Sequence, residues 1–422
     1  MQLEDLLLSR EGKISFISNQ INLFFHMKKT VVYYTSTCYL DIVIEAINIL
    51  KKSVDLHVMI EITPKMSKTN IIDIEKLPTD KTIIAASELI DQKSYEYFRP
   101  YFEGCASVNF VVHPHQTGLS LSTLKVSRKV WQFIRKINPG VIHIEAFTLR
   151  SIALIPYLFS KRKIFITIHD AVAHVGAKDW KNSFADYVLI QFPYSKNYFF
   201  YSRYSKLQFE NHYKSDKNPK YVLGMYPYSY YKKYVKEEND LHKHILFFGG
   251  LSAYKGVDVL LKAMMLVFKS FPDELLIIAG REKSGFILDN KILNDNEDRI
   301  EIRKRYIPNE ELVSLIKGAK FVICPYKDAS QSGVLMTAFA LDVPGIVTKV
   351  GAFPEFVSQN VNGMLVPAND PFHLAEAIMT ALRNNFYLTL AKNVTIANET
   401  NLWSQNESIL LNAYKGGVVS YK

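Results

Sequence analysis

The sequence contains few cysteines and no long apolar run. Its three cysteines, Cys38, Cys105 and Cys324, lie far apart in a chain of 422 residues. They offer neither a disulfide framework nor the spacing of a zinc site, which favours a reducing compartment such as the cytoplasm. Cys324 lies within an apolar run, so we expect it in the core. No stretch approaches the roughly 18 apolar residues of a membrane-spanning helix. The first residues include acidic ones where a secretory signal would be basic, so we expect no export by that route.

Two common nucleotide-binding motifs are also absent, and acidic residues are outnumbered. No Gly-x-Gly-x-x-Gly follows a predicted strand, which argues against a nicotinamide enzyme. Lys255 lacks the glycine spacing and the following Ser or Thr of a Walker loop. The chain has 51 Lys and Arg against 41 Asp and Glu, a formal charge of +10. This charge suits phosphorylated substrates, anionic lipid head groups or nucleic acid, and a basic surface without any such partner explains it equally well.

From Met27 onward the chain alternates strand-like and helix-like patterns. Apolar, β-branched runs such as residues 29–36 and 163–170 alternate with amphipathic helical runs such as residues 121–137. This alternation predicts parallel sheets covered by helices on both faces. The length is large for one hydrophobic core, and the charged residues 232–244 interrupt the apolar periodicity. We therefore predict an α/β protein with two tandem, Rossmann-like, doubly wound domains that face a cleft.

Two loops in the second half each follow a predicted strand and open a predicted helix. The first contains Gly249, Gly250 and Lys255, and the second ends at Ser332 and Gly333. Glycines let the backbone approach a ligand, a helix start presents N–H groups with a positive dipole, and a lysine adds a mobile cation. Because ligands of such sheets bind at the carboxyl ends of the strands, the two loops predict a diphosphate site. The alternative is that the glycines only form tight turns and that Lys255 is only solvated.

The second half resembles the retaining glycosyltransferases of family 4 (group 1), which share the GT-B fold. The resemblance covers about residues 245–380 strongly, through FFGGLSAYKGVDVLLKA, LLIIAG, DASQSGVLMTAFALDVPGIVTKVGAFPEFV and NGMLVPANDPFHLAEAI. The first half resembles the family more weakly, in VIHIEAF and ITIHDAVAHVG. The resemblance implies a UDP- or GDP-linked sugar donor bound mainly to the second domain and an acceptor bound to the first. It implies no metal and no further cofactor.

The predicted domain boundaries combine the sequence patterns with this resemblance. Residues 1–26 read as an N-terminal extension, and residues 27–235 as an acceptor-binding domain. Residues 242–385 read as the domain that binds the nucleotide sugar. Residues 386–422 read as helices, and the GT-B resemblance implies that the last of them returns to the first domain.

The resemblance assigns roles to individual residues. Lys255 matches the lysine that stabilises the departing diphosphate, and His169 matches the histidine beside the donor sugar and acceptor. Residues at the other positions expected to contact the donor are Gly249, Gly250, Tyr306, Ile307, Asp328, Gln331, Ser332, Gly333, Thr337 and Glu355. His143 and Glu145 end the strand before that of His169 and are candidates to line the acceptor site, with packing in the core as an equal alternative. Asp170 and His174, in the loop after His169, are further candidates near the acceptor, and Asp170 is also a candidate for orienting the His169 ring.

The sequence departs from the family pattern at two positions. Gly250 stands where the family has an arginine, and Thr337 stands at the second of two family glutamates. Arg281 is a candidate substitute cation, although a plain surface role explains it more simply. Asp328 fits a turn residue as well as a sugar contact, and Glu355 fits an acid placed on a helix dipole.

These observations predict a sugar transferase and leave one alternative. The prediction is retaining transfer to a glycan acceptor, interpreted as lipid-linked, in surface polysaccharide or lipopolysaccharide synthesis. We expect a cytoplasmic protein, peripheral on the anionic inner membrane face. The alternative is a catalytically weakened GT-B protein that binds glycan, nucleotide or a partner transferase. The basic and aromatic residues 225–236 match no nucleic-acid module, so we expect no nucleic acid and predict that these tyrosines pack between the domains.

Overall fold

The computed structural model describes the greater part of the chain. The described residues are 28–115, 120–145, 149–169, 190–191, 193–236, 242–282, 290–400 and 405–415. The predicted N-terminal extension, residues 1–26, lies outside them. So do most of residues 185–192, whose apolar pattern predicts a further strand.

The first sheet contains eight described strands in the order β3-β4-β2-β1-β5-β6-β7-β8. All neighbours pair in parallel except β3, which runs antiparallel to β4 at one edge. The strands are β1 Thr30–Ser36, β2 Asp55–Ile62, β3 Ile83–Ala85, β4 Ser107–Val112, β5 Val141–Ile144, β6 Lys163–Ile168, β7 Asn197–Phe200 and β8 Lys220–Val222.

Helices cover both faces of this sheet because its strands are apolar on both faces. Val31 and Tyr33 of β1 belong to one core, and Val32 and Tyr34 belong to the other. This is the pattern of a parallel strand buried on two sides. The described α-helices are α1 Leu40–Ser53, α2 Ala86–Leu89, α3 Gln92–Phe102, α4 Leu121–Ile137, α5 Ile155–Leu158 and α6 Arg203–His212. Short 3₁₀ helices span Thr37–Tyr39, Pro64–Met66, Leu149–Leu154 and Ser229–Tyr234.

The second sheet is parallel throughout its six described strands. Their order is β11-β10-β9-β12-β13-β14. They are β9 His244–Phe248, β10 Leu276–Ala279, β11 Ile300–Arg303, β12 Ala319–Cys324, β13 Gly345–Thr348 and β14 Gly363–Val366. Cys324 ends β12 with no exposed surface, so its prediction as a core residue is confirmed.

The helices of the second half begin after a 3₁₀ turn at Ala253–Lys255. They are α7 Val257–Ser270, α8 Asn290–Asn294, α9 Asn309–Lys317, α10 Gly333–Ala340, α11 Phe353–Phe356, α12 Pro371–Leu382, α13 Phe386–Glu399 and α14 Gln405–Lys415, with a 3₁₀ turn at Arg383–Asn385. The last helix, α14, lies against the first sheet, where the backbone oxygen of Tyr414 accepts a hydrogen bond from Lys29 at 2.8 Å. Among the described residues, no helix has the length and apolar character needed to cross a membrane.

The predicted fold class is confirmed, although two strands were not predicted. The structure has two doubly wound α/β units built on parallel sheets. Strands β7 and β8 were missed because they are only four and three residues long and lie among tyrosines and lysines, which obscure the apolar pattern.

The tyrosine-rich segment 225–236 packs between the two sheets. Tyr228 is buried, and its ring lies 3.2 Å from where a β-carbon on Gly333 would be. The next residue, Ser229, donates its backbone N–H to Glu45 of the first domain at 2.8 Å. The prediction that the tyrosines of this segment pack between the domains is therefore confirmed.

Candidate active site

The crevice of the second sheet lies between β9 and β12. These strands are neighbours, and the strand order proceeds outward from them in opposite directions. Ligands of open α/β sheets bind at such a switch point, outside the carboxyl ends of the strands. The loop after β9 and the loop after β12 both open onto this crevice.

Gly256 allows these two loops to approach each other closely. It has a φ of 69°, and a β-carbon there would lie 1.9 Å from the backbone oxygen of Pro325. A larger residue would both strain the backbone and push the loops apart. Gly249, on the same loop, lies beside the first turn of α10: its β-carbon would be 3.1 Å from Val334.

Lys255 extends across the crevice towards the β12 loop. Its Nζ lies 3.7 Å from the ring centroid of Tyr326 and 5.3 Å from that of Tyr254. The face of an aromatic ring attracts a cation, so these contacts hold the ammonium group in place. Burial raises the pKa of the neighbouring Cys324 thiol to about 12, against the opposing charge of Lys255. The thiol therefore stays neutral and Lys255 is the cation of this crevice wall.

The N-terminus of α10 forms the other wall. Ser332 caps the helix, because its Oγ accepts the N–H of Leu335 at 3.4 Å. The same hydroxyl lies 3.5 Å from the hydroxyl of Tyr326, the residue beneath Lys255. The lysine and the helix start are thus joined through one tyrosine. A cation beside the positive end of a helix is an arrangement that binds phosphate.

The remaining donor-site predictions fall in different environments. Asp328 is exposed on the β12 loop, whereas Thr337 is buried and donates its hydroxyl to the backbone oxygen of Gly333 at 2.8 Å within α10. Tyr306 is 49% exposed after β11, while Ile307 beside it is buried. Gly250 follows Gly249 at the crevice and is partly buried. Arg281 is exposed at the end of β10.

Gln331 and Glu355 both reach the first domain. The amide of Gln331 donates to the backbone oxygen of His169 at 2.5 Å. The carboxylate of Glu355 accepts the backbone N–H groups of Arg203 and Tyr204, each at 2.7 Å, at the start of α6. Such a carboxylate stabilises a helix start, so Glu355 binds the domains together in this conformation.

A buried polar cluster lies at the carboxyl ends of β5 and β6 in the first domain. Glu145 follows β5 and accepts hydrogen bonds from the hydroxyls of Tyr33 at 2.5 Å and Tyr201 at 2.6 Å. His169 follows β6, with its Nε2 3.0 Å from Oε1 of Glu145. His143, within β5, bonds through its two ring nitrogens to Tyr414 at 2.5 Å and Thr167 at 2.7 Å.

Burial and hydrogen bonding set the charges in this cluster. Burial lowers the pKa of His143 to about 4, so this ring is neutral near pH 7. Burial alone would raise the pKa of Glu145, but the close approach and charge of His169, the charge of His143 and the hydroxyl of Tyr201 lower it to about 2. Glu145 is therefore an anion near pH 7.

Two of the predicted acceptor residues are buried in this structure. The side chain of Glu145 has no exposed surface and that of His143 has only 1%, so neither lines the cleft in this conformation. Asp170 and His174 lie outside the described residues. Tyr33, Tyr39, Tyr201 and Tyr326 surround the predicted residues but were not identified from the sequence, because an aromatic residue in or beside an apolar strand has the same pattern as a core residue. Among the described residues, no group of three or more His, Cys, Asp or Glu side chains converges on a metal position.

Comparison with known proteins assigns the second domain to a family. Residues 242–384 match the model of the family described as Glycosyl transferases group 1. D-inositol 3-phosphate glycosyltransferase of Corynebacterium glutamicum is 32% identical over 146 residues, which is 33% of this chain and 35% of that protein. A glycosyltransferase of Methanocaldococcus jannaschii is 28% identical over 141 residues, 33% of this chain and 38% of that protein. The matched segment thus spans about a third of the length of these relatives.

Solved structures resemble this chain over most of its length. The Anabaena protein HepE, solved in complex with UDP, gives a TM-score of 0.62 at 15% identity, covering 92% of this chain and 100% of that structure. WaaG, a glycosyltransferase involved in lipopolysaccharide biosynthesis, gives 0.56 at 13% identity, covering 92% and 100%. At such low identity these matches establish the fold. The chain therefore has the GT-B fold, and its residues 242–384 match the model of the group 1 glycosyltransferase family.

Proposed function

We propose that this protein is a retaining glycosyltransferase that moves a sugar from a nucleotide-diphosphate sugar to a glycan acceptor. The observation that carries the proposal is the meeting of Lys255 with the N-terminus of α10 at the crevice between β9 and β12. The relatives that match the second domain are named glycosyltransferases, and HepE has been solved with UDP and with UDP-glucose. Both facts support a nucleotide sugar as the ligand of this crevice.

The proposed reaction exchanges one bond at the sugar's anomeric carbon for another on the same face. The bond from that carbon to the diphosphate oxygen breaks, and a bond to an acceptor hydroxyl oxygen forms. The hydroxyl proton passes to the departing phosphate. Negative charge grows on the diphosphate as the first bond breaks, so fixed positive groups there favour the transition state over the ground state. Lys255 and the backbone N–H groups near Ser332 and Gly333 supply those groups.

A donor panel in the presence of EDTA tests this proposal. UDP-, GDP- and ADP-linked sugars would be incubated with the protein, and release of nucleoside diphosphate would be measured. We expect turnover of one donor class without added metal, because the lysine and the helix dipole take the place of a metal ion at the diphosphate. Loss of turnover in EDTA with recovery in Mn²⁺ would contradict the metal-independent site. Binding without turnover of any donor would contradict the transferase proposal.

That last outcome would favour a second candidate, a weakened GT-B protein that binds a glycan, a nucleotide or a partner transferase. Two residues favour it. Gly250 supplies no second cation at the crevice, and the Thr337 hydroxyl is bonded within its own helix rather than offered to a ribose.

We further propose a lipid-linked acceptor and attachment to the anionic inner membrane face from the cytoplasm, as in surface polysaccharide or lipopolysaccharide synthesis. The excess of ten basic charges supports this part of the proposal. We expect binding to vesicles that contain anionic lipid, with affinity falling as salt rises from 50 to 500 mM, since salt screens surface charge over about 10 Å at 0.1 M. Co-sedimentation measures this, with zwitterionic vesicles as the control. Absence of binding would indicate a soluble acceptor, and salt-independent binding would indicate apolar insertion.

A further inference from the structure

Glu145 and His169 meet because their strands are neighbours. β5 and β6 pair in parallel, with His143 opposite Phe165 and Ile144 opposite Ile166. Their carboxyl ends lie at the same edge of the sheet, and the residues that follow them come within 3.0 Å of each other. The side chain of Glu145 is fully buried, whereas His169 lies nearer the surface, with 15% of its side chain exposed.

Glu145 is enclosed on the protein side by two tyrosine hydroxyls. Tyr33 donates to Oε2 at 2.5 Å and Tyr201 donates to Oε1 at 2.6 Å. The carboxylate therefore has a fixed position and no surface that a substrate reaches. Burying a charge is costly unless it is paired, so this anion requires a cation or a further proton donor beside it.

His169 is the partner that remains available. Among the described residues, the ion-pair partners of Glu145 are His143 at 3.7 Å and His169 at 3.0 Å. Both nitrogens of His143 bond to hydroxyls, and that ring is neutral near pH 7. The Nε2 of His169 has no well-aligned hydrogen bond, although it lies at hydrogen-bond distance from Glu145. Such contacts in unliganded sites commonly tighten when substrate binds.

The His169 ring is also held on its face. Tyr39, in the 3₁₀ helix after β1, stacks on it with centroids 4.1 Å apart and planes 18° apart. The charge of Asp41 on the next helix also interacts with this histidine. Tyr39 fixes the plane of the ring, and Glu145 fixes which edge of the ring points into the protein.

We propose that Glu145 is a positioning residue: it holds the proton of His169 on Nε2 and thereby leaves Nδ1 to accept a hydrogen bond from a hydroxyl of the sugar or the acceptor. This inference rests on the proposed function and adds to it a residue buried beneath the site. It also gives Glu145 a buried role in place of the predicted contact with the acceptor. Placing the correct nitrogen towards a substrate matters because a small misorientation of a positioned group lowers the rate steeply.

A double-mutant cycle tests whether Glu145 acts through His169. Glu145→Gln keeps the size of the side chain and removes its charge, and we expect kcat for transfer to fall about a hundredfold with nucleoside diphosphate affinity unchanged. In a His169→Ala background, Glu145→Gln should cost little more, because the ring it positions is absent. Equal losses in the two backgrounds would overturn the proposal.

Glu61→Gln is the matched control for loss of a buried carboxylate. Glu61 lies near the end of β2 with 2% of its side chain exposed, and its carboxylate accepts hydrogen bonds from Arg150 at 2.6 Å, Tyr34 at 3.1 Å and Ser151 at 3.3 Å. Melting temperature and near-ultraviolet circular dichroism would be compared for both variants. A kcat loss in Glu61→Gln as large as that in Glu145→Gln, at equal loss of stability, would make the effect of Glu145 one of folding alone.

The tautomer of His169 gives a readout on the wild-type protein that does not depend on enzymatic activity. Long-range ¹H–¹⁵N correlation spectra of histidine-labelled wild-type protein at pH 8 should show the His169 ring protonated on Nε2 and not on Nδ1. Assignment follows from the signal missing in His169→Ala. A ring protonated on Nδ1 would overturn the proposal. Failure of the donor panel together with an Nε2 tautomer would refute the transferase function while leaving the positioning contact in place.

Discussion

Replacing Lys255 with methionine should lower kcat for donor turnover by about a hundredfold to a thousandfold, the effect of removing one preorganised group at a developing charge. Methionine keeps most of the side-chain length and its contact with Tyr326 but removes the cation. The loss should appear mainly in kcat, because the charge on the diphosphate is largest when the sugar bond is breaking. Steady-state kinetics with the donor identified in the panel measures this.

Two variants separate the charge of Lys255 from other effects. Lys262→Met removes a lysine exposed on α7, near Lys255 in sequence, and should leave kcat unchanged. Lys255→Arg retains the positive charge and should recover part of the activity. If the folded Lys255→Met variant converted the donor at the wild-type rate, Lys255 would have no role in the site.

Replacing His169 with alanine should reduce sugar transfer by about a hundredfold, the scale of one positioned acid–base group, and leave nucleoside diphosphate affinity nearly unchanged. The diphosphate contacts come from the second domain, whereas this ring belongs to the first. The bond from Gln331 is to the backbone oxygen of His169, so alanine can retain it. The variant therefore removes the ring without removing that link between the domains.

Affinity and transfer need to be measured on the same preparation of this variant. His212→Ala is the matched control, since His212 ends α6 on the surface, where its ring contacts Tyr213. A parallel loss of affinity and transfer would make His169 a residue of the fold. Loss of neither would place the acceptor site elsewhere.

Local patterns in the sequence predicted most of the fold. The helix predicted at residues 121–137 has those bounds in the structure, because its apolar spacing is amphipathic and Ser120 caps its start by accepting the N–H of Thr123 at 3.2 Å. The helix predicted from Gly333 begins there as well. Both helices depend on contacts between residues about one turn apart, and the spacing of apolar residues in the sequence indicates such contacts directly.

The crevice was predictable for a similar reason. A strand followed by a glycine-bearing loop and a helix places Lys255 and Ser332 at the carboxyl edge of the same sheet, whatever the strand order. The sequence did not reveal that β9 and β12 are neighbours or that Tyr326 lies between the two side chains. Those facts depend on pairing between segments about 75 residues apart.

The enclosure of Glu145 and the contact of Glu355 with the first domain could not be predicted from the sequence. Glu145 looks like a polar residue at a strand end, and its enclosure depends on tyrosines from β1 and the end of β7. Glu355 matches a family position near the donor, yet here it accepts hydrogen bonds from the start of α6 in the other domain. Such long-range placements leave no local periodicity in the chain.

The most direct test of the central claim is a calorimetric titration of the wild-type protein with a nucleoside diphosphate and with the matching nucleoside. The claim is that Lys255 and the start of α10 hold a diphosphate. We predict that the diphosphate binds at least about a hundredfold more tightly than the nucleoside, which corresponds to about 2.7 kcal/mol, and that Lys255→Met removes most of that difference. Equal affinity for the nucleoside and its diphosphate would contradict the account.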